Sequence, residues 1–165
     1  MKKIICSMAV AVSVLSFGAH AAGYGVVDLE KVVESSSFLK QQNAALQQSL
    51  KPQSTKLEQL GKELEAMQQK AQQSTSLSEA DKQKMSAQYQ SKMKEFNTIQ
   101  QSVQTTVQSS IQSTNKLMDG RIKQAAEQLR KENTLDFILN KNSALAYDAK
   151  YDLTDKMIQK VNAIK

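Results

Sequence analysis

Apolar residues recur with helical spacing through the long middle of the chain. Across residues 46–71 they follow alternating steps of four and three, which is a heptad pattern interrupted only by Gln53. Between Met85 and Leu129 they span 44 positions in 12 steps, and the mean step of about 3.67 residues is typical of an 11-residue repeat. The two seams therefore predict two long helices that mesh over only part of their length.

A short polar stretch at residues 74–78 separates the two seams. Ser78 can cap a new helix, and Glu79 and Asp81 place negative charge in its first turn, where it opposes the helix dipole. Two helices joined in this way form an antiparallel hairpin, and each arm of roughly 45–55 residues would reach about 70–80 Å. Pro52 removes one hydrogen bond from the first arm, so we expect either a hinge or a simple helix boundary there.

The two ends of the chain follow a different pattern. Short β-branched and aromatic runs predict strands at residues 24–29, 135–139 and 144–147, with residues 140–143 as the loop of a hairpin. A final helix is expected to begin at an Asp152 cap, and its apolar stripe consists of Leu153, Met157, Val161 and Ile164.

These terminal elements are too small to form a core of their own. Two- or three-stranded units are marginally stable in water unless something covers them, and their open edges invite pairing. Assembly of several copies would join the edges and enclose the apolar face. We therefore predict a homo-oligomer, and its expected interface residues are Val26, Val27, Leu29, Phe137, Ile138, Leu139, Leu145 and Tyr147.

The first residues are typical of an export signal. Lys2 and Lys3 precede an apolar stretch at residues 4–17, and small residues at 19 and 21 suit a cleavage site. We expect residues 1–21 to be removed after Ala21, which makes the protein an exported one.

That removal decides which chemistry the protein can perform. The only cysteine, Cys6, and the only histidine, His20, both lie in the signal. Their loss excludes Cys and His nucleophiles, Cys/His zinc sites and disulfides. The sequence also lacks the glycine-rich motifs that bind nucleotide phosphates, and Glu63 and Glu65 point away from each other on a helix. We therefore predict no enzymatic activity, no cofactor and no metal.

The charge is concentrated in the middle of the chain. Residues 40–131 contain 14 basic and 8 acidic side chains. A basic surface attracts acidic partners, so acidic polypeptide segments and anionic lipid head groups are candidate partners, whereas export argues against nucleic acid. The alternative is that these basic residues only form a charged helix face in contact with water, which would give the same distribution of charge.

Two stretches resemble a known family. YGVVDLEKVVES near the mature start and LDFILNKNSALAYDAKYDLTDKMIQKV at the end are similar to the opening and closing segments of the Skp/OmpH family of periplasmic chaperones. The resemblance covers essentially all of residues 22–165. It implies a homotrimer with a small β-barrel body and three long helical tentacles, which binds unfolded outer-membrane proteins in the periplasm without ATP.

The expected fold is thus mostly α with a small β part. A body formed by residues 22–39 and 132–165 would carry a helical-hairpin tentacle at residues 40–131, with its tip near 74–78. Flexible methionines suit surfaces that accept many partners. We therefore predict that a set of residues near the tip contacts unfolded clients, although simple seam packing fits their spacing as well: Met67, Met85, Tyr89, Met93 and Phe96. A coiled-coil spacer or adaptor with one fixed envelope partner is the alternative function.

Overall fold

The structure, a computed structural model, describes residues 23–73 and 78–164. The predicted signal at residues 1–21 lies outside this part, as do residues 74–77 of the predicted tip. The elements in chain order are β1 (Tyr24–Val27), α1 (Leu29–Glu34), α2 (Ser37–Gln73), α3 (Glu79–Glu132), β2 (Phe137–Asn140) and α4 (Thr154–Ala163). Long helices with one small sheet confirm the predicted combination of a mostly α fold and a small β part.

The helices α2 and α3 form the predicted antiparallel pair of arms. Ion pairs join Lys56 to Glu95 and Glu63 to Lys92, so the residue order along α3 is the reverse of that along α2. α3 has 54 residues and is therefore about 80 Å long at 1.5 Å per residue. None of the described helices is both long and apolar enough to cross a membrane.

Side-chain caps set the start of two helices. Ser78 Oγ accepts a hydrogen bond from the backbone N–H of Asp81 at 3.1 Å, which confirms the predicted cap of α3. Asp28 caps α1 in the same way, because its carboxylate accepts from the N–H of Lys31 at 3.0 Å. This cap ends the predicted strand at Val27, so Leu29 is helical rather than extended.

Pro52 lies inside α2, and the helix continues through it. The alternative of a helix boundary at this position is therefore wrong. The hydroxyl of Ser49, three residues before the proline, donates to the carbonyl of Leu46 at 2.8 Å within the same helix. Beside the proline, the side-chain oxygen Oε1 of Gln53 is buried and has no hydrogen-bond partner. A buried amide oxygen without a partner thus weakens the inter-helix seam next to the position where the helix lacks a backbone donor.

The sheet differs from the predicted hairpin. β1 and β2 are parallel, with Tyr24 opposite Phe137 and Val27 opposite Asn140. After β2, the chain forms a 3₁₀ turn at Lys141–Ser143, and residues 144–147 are not a strand. The chain then returns to the other edge of β1, where the N–H of Leu153 donates to the carbonyl of Val26 at 2.8 Å. The hairpin prediction is wrong because the 3₁₀ turn leads residues 144–147 away from β2, whose outer edge has no partner among the described residues.

The core lies where α4, α1 and β1 pack against the roots of the arms. Leu153, Met157 and Val161 of the predicted α4 stripe are buried there. The prediction that Asp152 is the N-cap of α4 is wrong, because the helix begins at Thr154 and its N-cap is Leu153, which makes no side-chain cap bond. The Asp152 carboxylate still accepts from the N–H of Thr154 at 2.9 Å, just before the helix. The arms contribute Phe38, Met118, Ala125 and Leu129. A single chain therefore does build a core, which the terminal segments alone could not.

The arms pack closely over only part of their length, as the two different repeats predict. Leu60 and Leu64 are buried in the seam of the outer half. Nearer the body, Ile111 belongs to the predicted seam but is 51% exposed. Val107, Ser110 and Thr114 are partly buried at that height, so the contact face of α3 there lies beside Ile111 and not on it.

Candidate functional site

Three of the five predicted client-binding residues lie together near the tip. Met67 on α2 and Met85 and Tyr89 on α3 line an open groove of about 470 Å³, which we call the tip groove. Gln68, Ala71, Lys82 and Ser86 complete its lining, and the Lys82 ammonium is paired with Glu79 at 2.7 Å. The groove therefore combines flexible apolar side chains with a polar rim, a composition that suits binding of varied apolar segments.

The other two predicted residues do not line the tip groove. Met93 lies beside Tyr89 in a second, shallower groove along the surface of α3. Phe96 is half-buried one turn further along, at a seam position. The seam-packing interpretation therefore suits Phe96 best, whereas Tyr89 borders both grooves and connects them.

Ion pairs hold the outer halves of the arms together. Lys56 and Glu95 approach within 3.2 Å, and Lys92 pairs with Glu63. The Lys92 ammonium lowers the pKa of Glu63, and a hydrogen bond from the amide of Gln59 lowers that pKa further. These carboxylates are thus committed to the arms themselves and do not offset the remaining lysines.

Several lysines of the arms have no acidic partner within 4 Å among the described residues. Six of the eight carboxylates on the arms form ion pairs with basic side chains, so much of the excess positive charge resides in these unpaired ammonium groups. They are spread along both helices, and such a field attracts acidic polymers over several ångströms. The set consists of Lys40, Lys51, Lys70, Lys84, Lys94 and Lys116.

The predicted interface residues divide into two groups. Phe137 and Leu139 on β2 are 42% and 37% exposed, and Leu145 is fully exposed. Tyr24 stacks on Phe137 at a ring distance of 6.3 Å, which extends this apolar surface along the sheet. These exposed apolar side chains are therefore candidates for contact with a partner.

The second group is already buried inside the subunit. Val26 and Val27 are only 1% exposed, and Ile138 packs against the core cluster. They therefore have little area to offer a partner, and their apolar character serves the subunit's own core. Leu29 is half-buried against the same core, and Tyr147 donates a hydrogen bond to Asp152 at 3.3 Å.

A set of polar contacts that the sequence did not indicate fixes the arms on the body. The Arg121 guanidinium lies 4.1 Å from the centre of the Phe38 ring and donates to the backbone carbonyls of Val161 and Ile164 at the end of α4. The Ser36 hydroxyl donates to the Met118 sulfur at 3.7 Å. These partners lie 40 or more positions apart, so no local pattern could have revealed them.

The described residues include no group of three or more His, Cys, Asp or Glu that could hold a metal ion. The candidate sites are therefore surfaces: the tip groove, the basic arms and the exposed apolar face of the body.

The comparisons with known proteins that find a match indicate the same family. The family described as outer membrane protein (OmpH-like) matches the chain over residues 23–161. A crystal structure of a protein from Caulobacter crescentus CB15, assigned as an OmpH-like outer membrane chaperone, aligns with a TM-score of 0.63 and 18% sequence identity. The alignment covers 88% of this chain and 87% of the other, so the two share a fold. A search of curated proteins finds no match.

Proposed function

The chain belongs to the OmpH-like family of outer membrane proteins, and on this premise we propose that it is an ATP-independent holdase chaperone of the periplasm. In this role it binds outer-membrane proteins that have not yet folded and prevents their aggregation on the way to the outer membrane. The observation that carries the proposal is the pair of long arms, which expose most of their surface and hold a methionine-lined groove. The chaperone assignment of the structurally similar protein supports it.

The proposed working form is a homotrimer whose bodies join into a small β-barrel. Its support is the apolar face of Phe137, Leu139 and Leu145, which the single chain leaves exposed. The sheet has only two strands, and β2 has no partner on its outer edge among the described residues. Strands from neighbouring copies would fill such an edge and remove a site of unwanted pairing.

The proposed division of labour places assembly at residues 22–39 and 132–165 and client contact on the arms at 40–131, after an export signal at 1–21 has been cleaved. Three copies would surround a client with six arm helices. The six helices present many weak binding sites at a high local concentration, and together these sites hold the client without a deep pocket. No nucleotide is needed, because release requires only that the client folds or finds a better partner.

Both the tip groove and the unpaired lysines contribute to this binding. Met67, Met85 and Tyr89 adapt to different apolar side chains, while the lysines attract acidic clients. The same ammonium groups can contact anionic lipid head groups when the loaded chaperone approaches the outer membrane. Pro52 would act as a hinge, because α2 lacks one backbone hydrogen bond there and the neighbouring Gln53 amide weakens the seam.

An aggregation assay separates this function from that of a structural coiled-coil spacer. A urea-unfolded outer-membrane β-barrel protein is diluted into buffer with the mature chain, and light scattering is recorded. A holdase suppresses scattering at stoichiometric amounts, whereas a spacer with one fixed partner leaves it unchanged. The same assay with added ATP is expected to give the same result.

The contribution of the tip groove can be measured with the double variant Met67→Ser/Met85→Ser. We expect it to need several-fold more protein for equal suppression, because two adaptable apolar contacts are lost. Leu117→Ser is the control, since Leu117 is an exposed apolar residue of α3 near the body and outside the groove. Equal activity of both variants and the wild type would refute the role of the groove.

A further inference from the structure

Methionine supplies all the sulfur in the chain that remains after the predicted cleavage. Cys6 lies in the predicted signal, and residues 22–165 contain five methionines and no cysteine. A thioether sulfur accepts one oxygen atom from an oxidant, and the resulting sulfoxide can be reduced again by dedicated reductases. The methionines are therefore the side chains through which the mature chain can respond reversibly to oxidation.

The five methionines divide by their exposure to water. Met118 and Met157 are 5% and 1% exposed and belong to the core of the body. Met67 and Met85 are only partly buried and line the open tip groove, and Met93 is partly buried in the neighbouring groove. A small oxidant dissolved in water therefore reaches the sulfurs of the grooves, whereas close packing shields the two core sulfurs.

The two arms bring Met67 and Met85 to one place. Met67 lies on α2 and Met85 on α3, and both line the tip groove. Tyr89 follows Met85 by one helical turn, where its ring can pack against the thioether. The other lining side chains are short or polar, so the two methionines are the flexible apolar side chains of the groove: Gln68, Ala71, Lys82 and Ser86. A chemical change at these two sulfurs therefore changes what the groove can bind.

A hypohalous acid such as hypochlorous acid oxidises a thioether by transfer of one oxygen atom. The sulfur gains a bond to oxygen, the bond between oxygen and chlorine breaks, and a proton and a chloride ion are released. Sulfur thereby loses two electrons and chlorine gains them. The product is methionine sulfoxide, whose S–O group is polar and disrupts surfaces built from methionine.

We propose that Met67 and Met85 form an oxidation site that controls the tip groove, an inference that rests on the proposed chaperone function. Sulfoxides at both positions place polar oxygens in the apolar lining, and an apolar client segment would have to displace their water in order to bind. The oxidised protein therefore holds clients less tightly. The fold is retained because the oxidant does not reach the core sulfurs, including that of Met118, which accepts a hydrogen bond from Ser36. Reduction of the sulfoxides restores the groove.

Peptide mapping by mass spectrometry locates the added oxygen. The full mature protein is treated with a small molar excess of hypochlorous acid, the reaction is stopped with free methionine, and the protein is digested. We expect sulfoxide to form at Met67 and Met85 at least about three-fold faster than at Met118 and Met157. Equal rates at the groove and at the core would overturn the proposal.

The aggregation assay measures the consequence for client binding. The unfolded client is added only after the oxidant has been removed, and each protein is compared with its own untreated sample. The treated wild type should need at least about three-fold more protein for equal suppression, because the groove has become polar.

A pair of matched variants assigns this loss to the tip groove. Met67→Leu/Met85→Leu keeps apolar side chains of similar volume but has no sulfur there, so treatment should change its activity less than about 1.5-fold. Met93→Leu/Met157→Leu removes as many methionines outside the tip groove, and treatment should weaken it as much as the wild type. Equal losses for the two variants would overturn the proposal.

Repair and unfolding measurements exclude other kinds of damage. Methionine sulfoxide reductases for both sulfoxide epimers, supplied with a dithiol, should restore suppression by the treated wild type. Activity that stays low after the map shows the sulfoxides to be reduced would overturn the proposal. The treated and untreated wild type should unfold at the same temperature, and a lower midpoint after treatment would contradict the retained fold.

The outcomes also separate this inference from the proposed function. A wild type that suppresses aggregation equally well before and after treatment overturns the oxidation site alone. An untreated wild type that fails to suppress aggregation refutes the holdase function, and the peptide map still decides whether Met67 and Met85 are the sites of oxidation.

Discussion

The side-chain oxygen of Asn162 accepts hydrogen bonds from both the backbone N–H and the hydroxyl of Ser37, at 2.8 and 2.9 Å. Ser37 is the first residue of α2, so an α4 residue 125 positions away satisfies a free donor at the start of the arm. The Asn162 amide nitrogen also approaches the carbonyl of Ser35 at 3.4 Å. This side chain therefore helps to fix the direction in which the arm leaves the body, together with the contacts of Arg121 and Ser36.

Removal of this contact should loosen the arm root. Asn162→Ala leaves the first-turn donor of α2 without its partner, and we expect a loss of about 1–2 kcal/mol in the free energy of unfolding. Gln159→Ala on the exposed face of α4 is the control and should change stability by less than about 0.5 kcal/mol. Urea unfolding at equal protein concentration measures both. Equal stabilities would show that Asn162 does not cap the arm.

The end of α3 offers a stabilising substitution. Thr134 has φ of 52°, the left-handed region, directly after the helix. The N–H of Leu135 donates to the carbonyl of Arg130 at 2.9 Å, and the pattern is that of a helix end that normally uses glycine. Thr134→Gly should raise stability by about 0.5–1 kcal/mol, because a β-branched residue is strained there. The control is Thr105→Gly, inside α3, which should lower the stability. A lower midpoint of thermal unfolding for both variants would contradict this account.

Acid should weaken the root of α3 through Glu127. Hydrogen bonds from Arg130 and then Lys131 lower the pKa of Glu127 from 4.5 to about 2. A lowered pKa means that the carboxylate stabilises the fold fully above pH 4.5 and loses this effect as the pH falls toward 2. The unfolding midpoints of the wild type and Glu127→Gln should therefore converge over that range. Because these groups are exposed, added salt should reduce the difference between the two unfolding midpoints. A difference between the midpoints that increases as the pH falls would contradict the prediction.

Assembly should depend on Leu145. This residue is fully exposed in the single chain and touches no core residue, so Leu145→Asp should leave the subunit folded. If Leu145 is covered in the trimer, the new charge would be buried without a partner and the mass should fall to that of a monomer. Val33→Asp is the control, because Val33 is an exposed apolar residue of α1. Light scattering that reports the wild-type mass for Leu145→Asp would remove Leu145 from the interface.

Local patterns in the sequence predicted the arms well. The recurrence of apolar residues gave two helices, and the Ser78 cap marked the start of α3 correctly, because caps and periodicity depend on neighbours in sequence. The difference between the two repeats also predicted that packing would be partial, which the exposure of Ile111 bears out.

Contacts between distant segments were not predictable in the same way. Residues 144–147 have the composition of a strand, yet strand propensity does not say which segment pairs with which. In the structure it is Asp152, and not this segment, that pairs with the second edge of β1. The caps that Asn162 and Arg121 supply likewise join segments far apart in sequence. The tip groove was partly predicted because its methionines follow the seam.

The mass of the mature protein with and without an unfolded client tests the central proposal most directly. Light scattering coupled to size-exclusion chromatography is run on the protein alone and after mixing with a urea-unfolded outer-membrane β-barrel protein. The proposal predicts three copies alone and a soluble complex of three copies with one client. A monomer that stays alone while the client precipitates would contradict it.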